Sequence, residues 1–194
     1  MSRGRFIAFE GGEGSGKSTQ AALLAARLGA VLTHEPGGTE VGARIRAIVL
    51  DPALVLDPRA EALLMLADRA QHVVETIRPA LAAGRDVVSD RFSGSTLAYQ
   101  GYARGLAVDD LAGLSAWATG GLQPDVVILL DVPPGVAATR MRRGLDRMEA
   151  AGDDFHRRVA EGYRSLAARD PDRWRVVDGC GSVEDVEARV EKVL

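Results

Sequence analysis

Phe6-Ile7-Ala8-Phe9-Glu10-Gly11-Gly12-Glu13-Gly14-Ser15-Gly16-Lys17-Ser18 is the stretch that decides the fold. A short apolar run, taken as a strand over Arg5 to Glu10, enters a segment that fits G-x-x-x-x-G-K-[ST] at every fixed position. From Thr19 to Leu28 the apolar residues then recur at three and four spacing, as on one face of a helix. Strand, glycine turn and helix in that order make a phosphate cradle. Glycines let successive backbone N–H groups turn inward, and a helix N-terminus adds roughly half a positive charge facing them. Gly11, Gly12, Glu13, Gly14, Ser15, Gly16, Lys17, Ser18 and Thr19 are therefore the expected nucleotide-binding residues. Lys17 is expected to reach the terminal phosphates of ATP, and the Ser18 hydroxyl to ligate Mg²⁺.

Outward from this stretch, strand-like runs alternate with helical patterns. Ala30 to His34, Asp86 to Asp90, Asp125 to Asp131 and Trp174 to Asp178 read as strands; Val41 to Leu50, Pro58 to Ala83 and Val183 to Leu194 read as helices. Alternation of this kind predicts an α/β three-layer sandwich around a central parallel sheet of about five strands, the P-loop NTPase fold. No repeat or low-complexity linker divides the 194 residues, so one domain spans 1–194.

Charge and composition exclude several classes. With 24 basic and 27 acidic residues the net charge is −3, so any anionic ligand must be held locally and not by a basic coat. Cys180 is the only cysteine and has no disulfide partner within the chain. The N-terminal stretch lacks the apolar core of a signal peptide and no run approaches the ~18 apolar residues of a membrane span, which predicts a cytoplasmic protein without membrane or nucleic-acid partners. Asparagine is absent, and neither Lys17 nor Lys192 is followed two residues later by Asp, so the Asn-Lys-x-Asp element with which GTPases read guanine cannot be built. The arginine-for-lysine and asparagine-free composition fits thermal adaptation or codon bias equally.

Two features call for an acceptor beside the cradle. Glu13 sits inside the phosphate loop, where bound phosphates would repel it unless it binds a hydroxyl or a hydrated metal; the alternative is a side chain turned to solvent. Asp90-Arg91 ends the third strand at the crevice where doubly wound sheets bind ligands, a structural ion pair being the alternative. Met65 and Arg69 are four apart on one helix face.

Thr33-His34-Glu35-Pro36-Gly37-Gly38-Thr39, Asp90-Arg91-Phe92, Ser95-Thr96-Leu97-Ala98-Tyr99-Gln100-Gly101, Leu129-Leu130-Asp131-Val132 and Asp146-Arg147-Met148-Glu149 occur in that order after the phosphate loop. Together these segments resemble thymidylate kinase, the family that phosphorylates dTMP to dTDP with ATP and Mg²⁺. The resemblance runs from Phe6 to about Asp178. It implies Glu13 near the sugar 3′ hydroxyl of dTMP, Arg91 between donor and acceptor phosphates, and Asp90 near Mg²⁺ or the acceptor phosphate. It also implies an acceptor site containing Arg46, Met65, Arg69, Thr96, Tyr99 and Gln100. Met65 stands where the family usually stacks an aromatic ring on thymine, and His34 stands where it commonly has arginine. The resemblance further implies that Arg69, four residues after Met65, bonds the base O4, and Tyr99 is expected to close over the sugar where a 2′ hydroxyl would project. Because Gly14 follows Glu13, the phosphate loop has no arginine; the cluster from Arg140 to Glu149 then reads as a lid at about 140–151. Arg142, Arg143 and Arg147 are its candidate cations, with Arg143 favoured; a solvated helix end is the alternative. A homodimer is implied as well. A kinase for another nucleotide or deoxynucleoside, and an inactive nucleotide-binding module, stay open at this point.

Overall fold

A computed structural model of the chain describes residues 3–140 and 146–194. Five strands form one parallel sheet: β1 (Phe6–Glu10), β2 (Val31–His34), β3 (Val87–Asp90), β4 (Val126–Asp131) and β5 (Trp174–Asp178), in the order β2-β3-β1-β4-β5. Every residue of β1 is buried, as a central strand covered on both faces requires. Its side chains alternate between the two faces. Ile7 and Phe9 join Val88, Ile128 and Val177 under α1 (Lys17–Leu28) and α9 (Val183–Glu191), whereas Phe6 and Ala8 pack with Val87, Val73 and Ile77 on the other side. The three-layer architecture and the five strands match the sequence expectation, with ends shifted by a residue at most.

The chain leaves β1 to build β2 and β3 on one side and β4 and β5 on the other, so the sheet changes direction at β1. Phe9 is in register with Asp90, and Glu10 with Leu129. The phosphate loop after β1 and the Asp90-Arg91 pair after β3 therefore emerge side by side at the carboxyl edge, in the crevice such sheets use for ligands.

The segment read as one helix over Pro58 to Ala83 divides into α3 (Pro58–His72), a wide π turn (Val73–Ile77) and α4 (Arg78–Ala82). Proline explains the division: Pro79 has no amide to give, and the preceding amide, from Arg78, reaches back five residues to the Val73 carbonyl. A second π turn, Leu97–Ala103, continues the short α5 (Ser93–Thr96) and carries Tyr99 and Gln100. Around these lie α2 (Glu40–Leu50), α6 (Val108–Thr119), α7 (Pro134–Arg140) and α8 (Asp153–Arg169). Among the described residues no helix is long and apolar enough to cross a membrane.

Candidate active site

The phosphate loop is shaped by its glycines. Gly14 has φ 69°, and a Cβ there would lie 2.5 Å from the Ala137 carbonyl oxygen, so the loop can pass under α7 only without a side chain. Gly16, with φ 91°, caps α1. Lys17 folds back over the loop: its Nζ donates to the Gly12 carbonyl at 2.7 Å and to Ser15 Oγ at 3.3 Å. Burial, with the nearby Arg91 charge, lowers the Lys17 pKa to about 8. Ser18 Oγ donates to Asp90 Oδ2 at 2.5 Å, while Asp90 Oδ1 is buried without a hydrogen-bond partner among the described residues.

Arg91 is the node between the phosphate loop and Tyr99. Its φ is 73°, a region sparsely used by residues other than glycine. Its Nη2 donates to Glu13 Oε1 at 2.6 Å and to the Tyr99 hydroxyl at 3.1 Å, and Tyr99 also donates to Glu13 Oε1 at 2.7 Å. The guanidinium lies 5.0 Å from the centre of the Tyr99 ring, a cation–π distance. Burial by itself would raise the Glu13 pKa; the charges of Arg91 and Lys17 and the Tyr99 hydroxyl overcome it and hold the carboxyl at about 2. Glu13 is thus an anion held by its neighbours and not a side chain turned to solvent.

Glu13 borders three openings. A polar cavity of about 310 Å³ is walled by Lys17, Ser18, Asp90, Arg91, Arg46 and His34. A smaller one of about 80 Å³ is walled by Met65, Tyr99, Ser95, Pro36, Arg46 and Met148. A mostly apolar cavity of about 350 Å³ lies between the loop, the end of β4 and α8. On the far side of the cradle, about 340 Å³ opens between Thr19, Gln20, Arg140, Gly181 and Val183. Arg46 Nη1 donates to the Pro36 carbonyl at 2.9 Å, which holds it on the rim shared by the first two openings.

Other expected site residues lie behind the wall. Arg69 is buried, and its donors go to Glu35 Oε2 at 2.8 Å, Thr96 Oγ1 at 2.9 Å and the Phe92 carbonyl at 2.9 Å. Glu35 also meets His72 Nδ1 at 2.8 Å, and His72 Nε2 lies 2.6 Å from Thr33 Oγ1. Arg69 and Thr96 therefore lie behind the cavity walled by Met65 and Tyr99 and not among its lining residues. Gln100 is fully buried; its amide donates to Glu61 Oε1 at 2.7 Å and its own oxygen has no partner among the described residues. Arg147 departs from the expectation of a lid cation facing the donor. Its Nη1 is 2.6 Å from Glu61 Oε2 and its Nε donates to the Val49 carbonyl at 2.7 Å, so it fastens the chain to α2 and α3. Arg142 and Arg143 lie outside the described residues.

Five residues of this network were not expected to act: Glu10, Glu35, Glu61, Asp68 and Tyr163. Asp68 Oδ1 accepts from the Gly37 amide at 2.9 Å, and burial next to Glu35 raises its pKa to about 6. A charged residue closing an otherwise apolar strand marks Glu10 in the sequence; nothing in spacing marks the others. His34, which stands where the family commonly has arginine, lines the polar cavity.

A family model described as thymidylate kinase matches residues 9–190. This chain belongs to the thymidylate kinase family. Two curated thymidylate kinases are similar over nearly the whole length: one from Synechococcus sp. (strain JA-3-3Ab), 50% identical over 97% of this chain and 94% of its own, and one from Bifidobacterium longum (strain NCC 2705), 48% identical over 97% and 96%. The crystal structure of thymidylate kinase from Ehrlichia chaffeensis superposes with a TM-score of 0.83 at 33% identity, covering 98% of each chain. The inactive-module alternative has no missing group to rest on, since Lys17, Ser18, Asp90 and Arg91 are all present and assembled.

Proposed function

We propose that this enzyme transfers the γ-phosphoryl group of ATP to the 5′-phosphate of dTMP, giving dTDP for dTTP synthesis, with Glu13 and Arg91 at the junction of the two substrates. The observation that carries this reading is the Glu13–Arg91–Tyr99 cluster, which joins a phosphate loop to a cavity walled by Met65 and Tyr99. Phosphoryl transfer asks a protein mainly to align two anions and to neutralise charge spread over the equatorial oxygens.

The donor base takes the opening beside Thr19 and Gly181, its phosphates lie along Gly11 to Ser18, and Lys17 exchanges its bond to Gly12 for the terminal phosphates. Mg²⁺ is commonly held by one or two carboxylates together with substrate phosphates. The Ser18 hydroxyl and the unpartnered buried Oδ1 of Asp90 fit that oxygen-donor set. Bound there, the ion supplies charge neutralisation at the phosphate oxygens. Arg91 then orients the acceptor phosphate against the donor, Arg46 holds it from the rim, and Glu13 receives the sugar 3′ hydroxyl. Met65 covers the thymine with a polarizable but non-aromatic side chain, and Arg69, itself fixed by Glu35, steadies Thr96 and the base edge. The Tyr99 ring fills the space a 2′ hydroxyl would need. Arg142 and Arg143 supply the cation that the phosphate loop lacks, on a lid that excludes water.

The enzyme works as a cytoplasmic homodimer. Support for the dimer comes from exposed apolar residues on the packed helices α3 and α6, Leu63 at 59% and Trp117 at 83%, and on the π turn after α3, Val74 at 68%.

A ligand that binds only the folded state raises its melting temperature. With ADP and Mg²⁺ present, dTMP raises it most among the nucleoside monophosphates; a larger rise with another monophosphate assigns the site to a different acceptor.

A further inference from the structure

We propose that Glu10 positions Arg91 for transfer, gripping the backbone after Arg91 directly and orienting its guanidinium through the Ser95 and Tyr163 hydroxyls. Glu10 closes β1 and is 1% exposed. Four donors converge on it. Oε1 accepts from the Phe92 amide at 3.0 Å and the Ser95 amide at 3.1 Å; Oε2 accepts from Ser95 Oγ at 2.6 Å and the Tyr163 hydroxyl at 3.0 Å. Both amides belong to the turn that follows Arg91, whose φ of 73° is strained for a side chain and persists only where the surroundings over-determine it. The fit is close: a Cβ on Gly94 would lie 2.8 Å from Glu10 Oε1.

The second grip is directional. Arg91 Nη1 donates to Ser95 Oγ and to the Tyr163 hydroxyl, each at 3.1 Å. A guanidinium only donates and a carboxylate only accepts, whereas a hydroxyl does both. The two hydroxyls thus present lone pairs to Arg91 and run their own protons towards Glu10, directly or from one hydroxyl to the other across 2.8 Å. Burial raises the Glu10 pKa, opposed by the Ser95 hydroxyl, the Arg91 charge and the Phe92 amide; the ionised form is the one that four donors satisfy. Glutamine in its place keeps the shape and reverses the polarity. Its oxygen must stay with the two amides, so its NH₂ faces the hydroxyls, occupies their lone pairs and turns their protons towards Arg91.

This inference rests on Arg91 acting between the substrate phosphates, and the test separates the two. Glu10→Gln is expected to lower kcat by about 10- to 100-fold, the usual loss when a supporting group behind a functional one is removed, with KM for dTMP and ATP little changed. In a Ser95→Ala/Tyr163→Phe background the same substitution should have a much smaller effect on kcat, because the route to Nη1 is already cut. An equal loss in both backgrounds overturns the positioning role. Arg91→Ala, measured alongside, should abolish most turnover; if it does not, the placement of Arg91 at the phosphates is what fails. Should Glu10→Gln not fold, Tyr163→Phe and Ser95→Ala alone should each lower kcat at constant KM for dTMP, and parent-like kcat in both overturns the proposal.

Discussion

Lys17 and Arg69 show how burial sets the consequence of a single residue. Free Lys17, with its pKa lowered to about 8 by burial, loses charge in an accessible pH range. Bound phosphate restores the charged form, so the effect belongs to the free enzyme. The profile of kcat/KM for ATP should therefore fall above pH about 8, while kcat at saturating ATP holds to higher pH, since the former reports the free enzyme and the latter the complex. A flat kcat/KM profile through this range would contradict the buried lysine. Arg69 has a different cost. Both it and Glu35 are 3% exposed at the side chain, and breaking a buried pair typically costs about 3–5 kcal/mol. Arg69→Ala should then lower Tm by roughly 6–20 °C and raise KM for dTMP more than KM for ATP. An unchanged Tm would mean the Glu35 network does not depend on it.

At the scale of elements, the arginines expected in a lid should separate into two roles. Arg147 is bonded to Glu61, which also receives Arg104 and Gln100, so Arg147→Ala should reduce stability by about 1–3 kcal/mol with kcat nearly preserved. Arg142→Ala/Arg143→Ala should do the reverse, lowering kcat and kcat/KM together because the interaction exists mainly in the transition state. Denaturant titration and steady-state kinetics on both variants check the division; a lost kcat in Arg147→Ala alone would reverse it. The same contrast marks what the sequence could tell. Strands and the phosphate loop were legible because they depend on local patterns: apolar runs, glycine spacing, one lysine. Helix α8 was not, although Phe155, Val159, Tyr163 and Leu166 share its buried face, because arginines and acidic residues crowd the positions between them. The roles of Glu10 and Arg147 rest on partners up to 153 positions away in sequence, and no spacing rule carries such a pairing. Met65, Tyr99, Arg91 and Glu13, assigned through motif resemblance, are brought together around one cavity.

For the molecule as a whole, the sheet edge holds the phosphate loop and the cavity walled by Met65 and Tyr99, which share Glu13, and the packed helices α3 and α6 carry the exposed apolar residues Leu63 and Trp117. Trp117→Asp should shift the protein towards monomer in sedimentation velocity while leaving the fold intact, since Trp117 is 83% exposed; an unchanged sedimentation coefficient would move the dimer contact elsewhere. The most direct test of the central claim is an ADP-release assay with ATP and Mg²⁺ against dTMP, dUMP, dGMP, dAMP and thymidine. The Glu13–Arg91 junction with a Met65–Tyr99 pocket predicts the highest kcat/KM for dTMP, and near-complete loss of that turnover in Arg91→Ala. Turnover of another acceptor above dTMP, or of none in a folded enzyme that binds ATP, would contradict it.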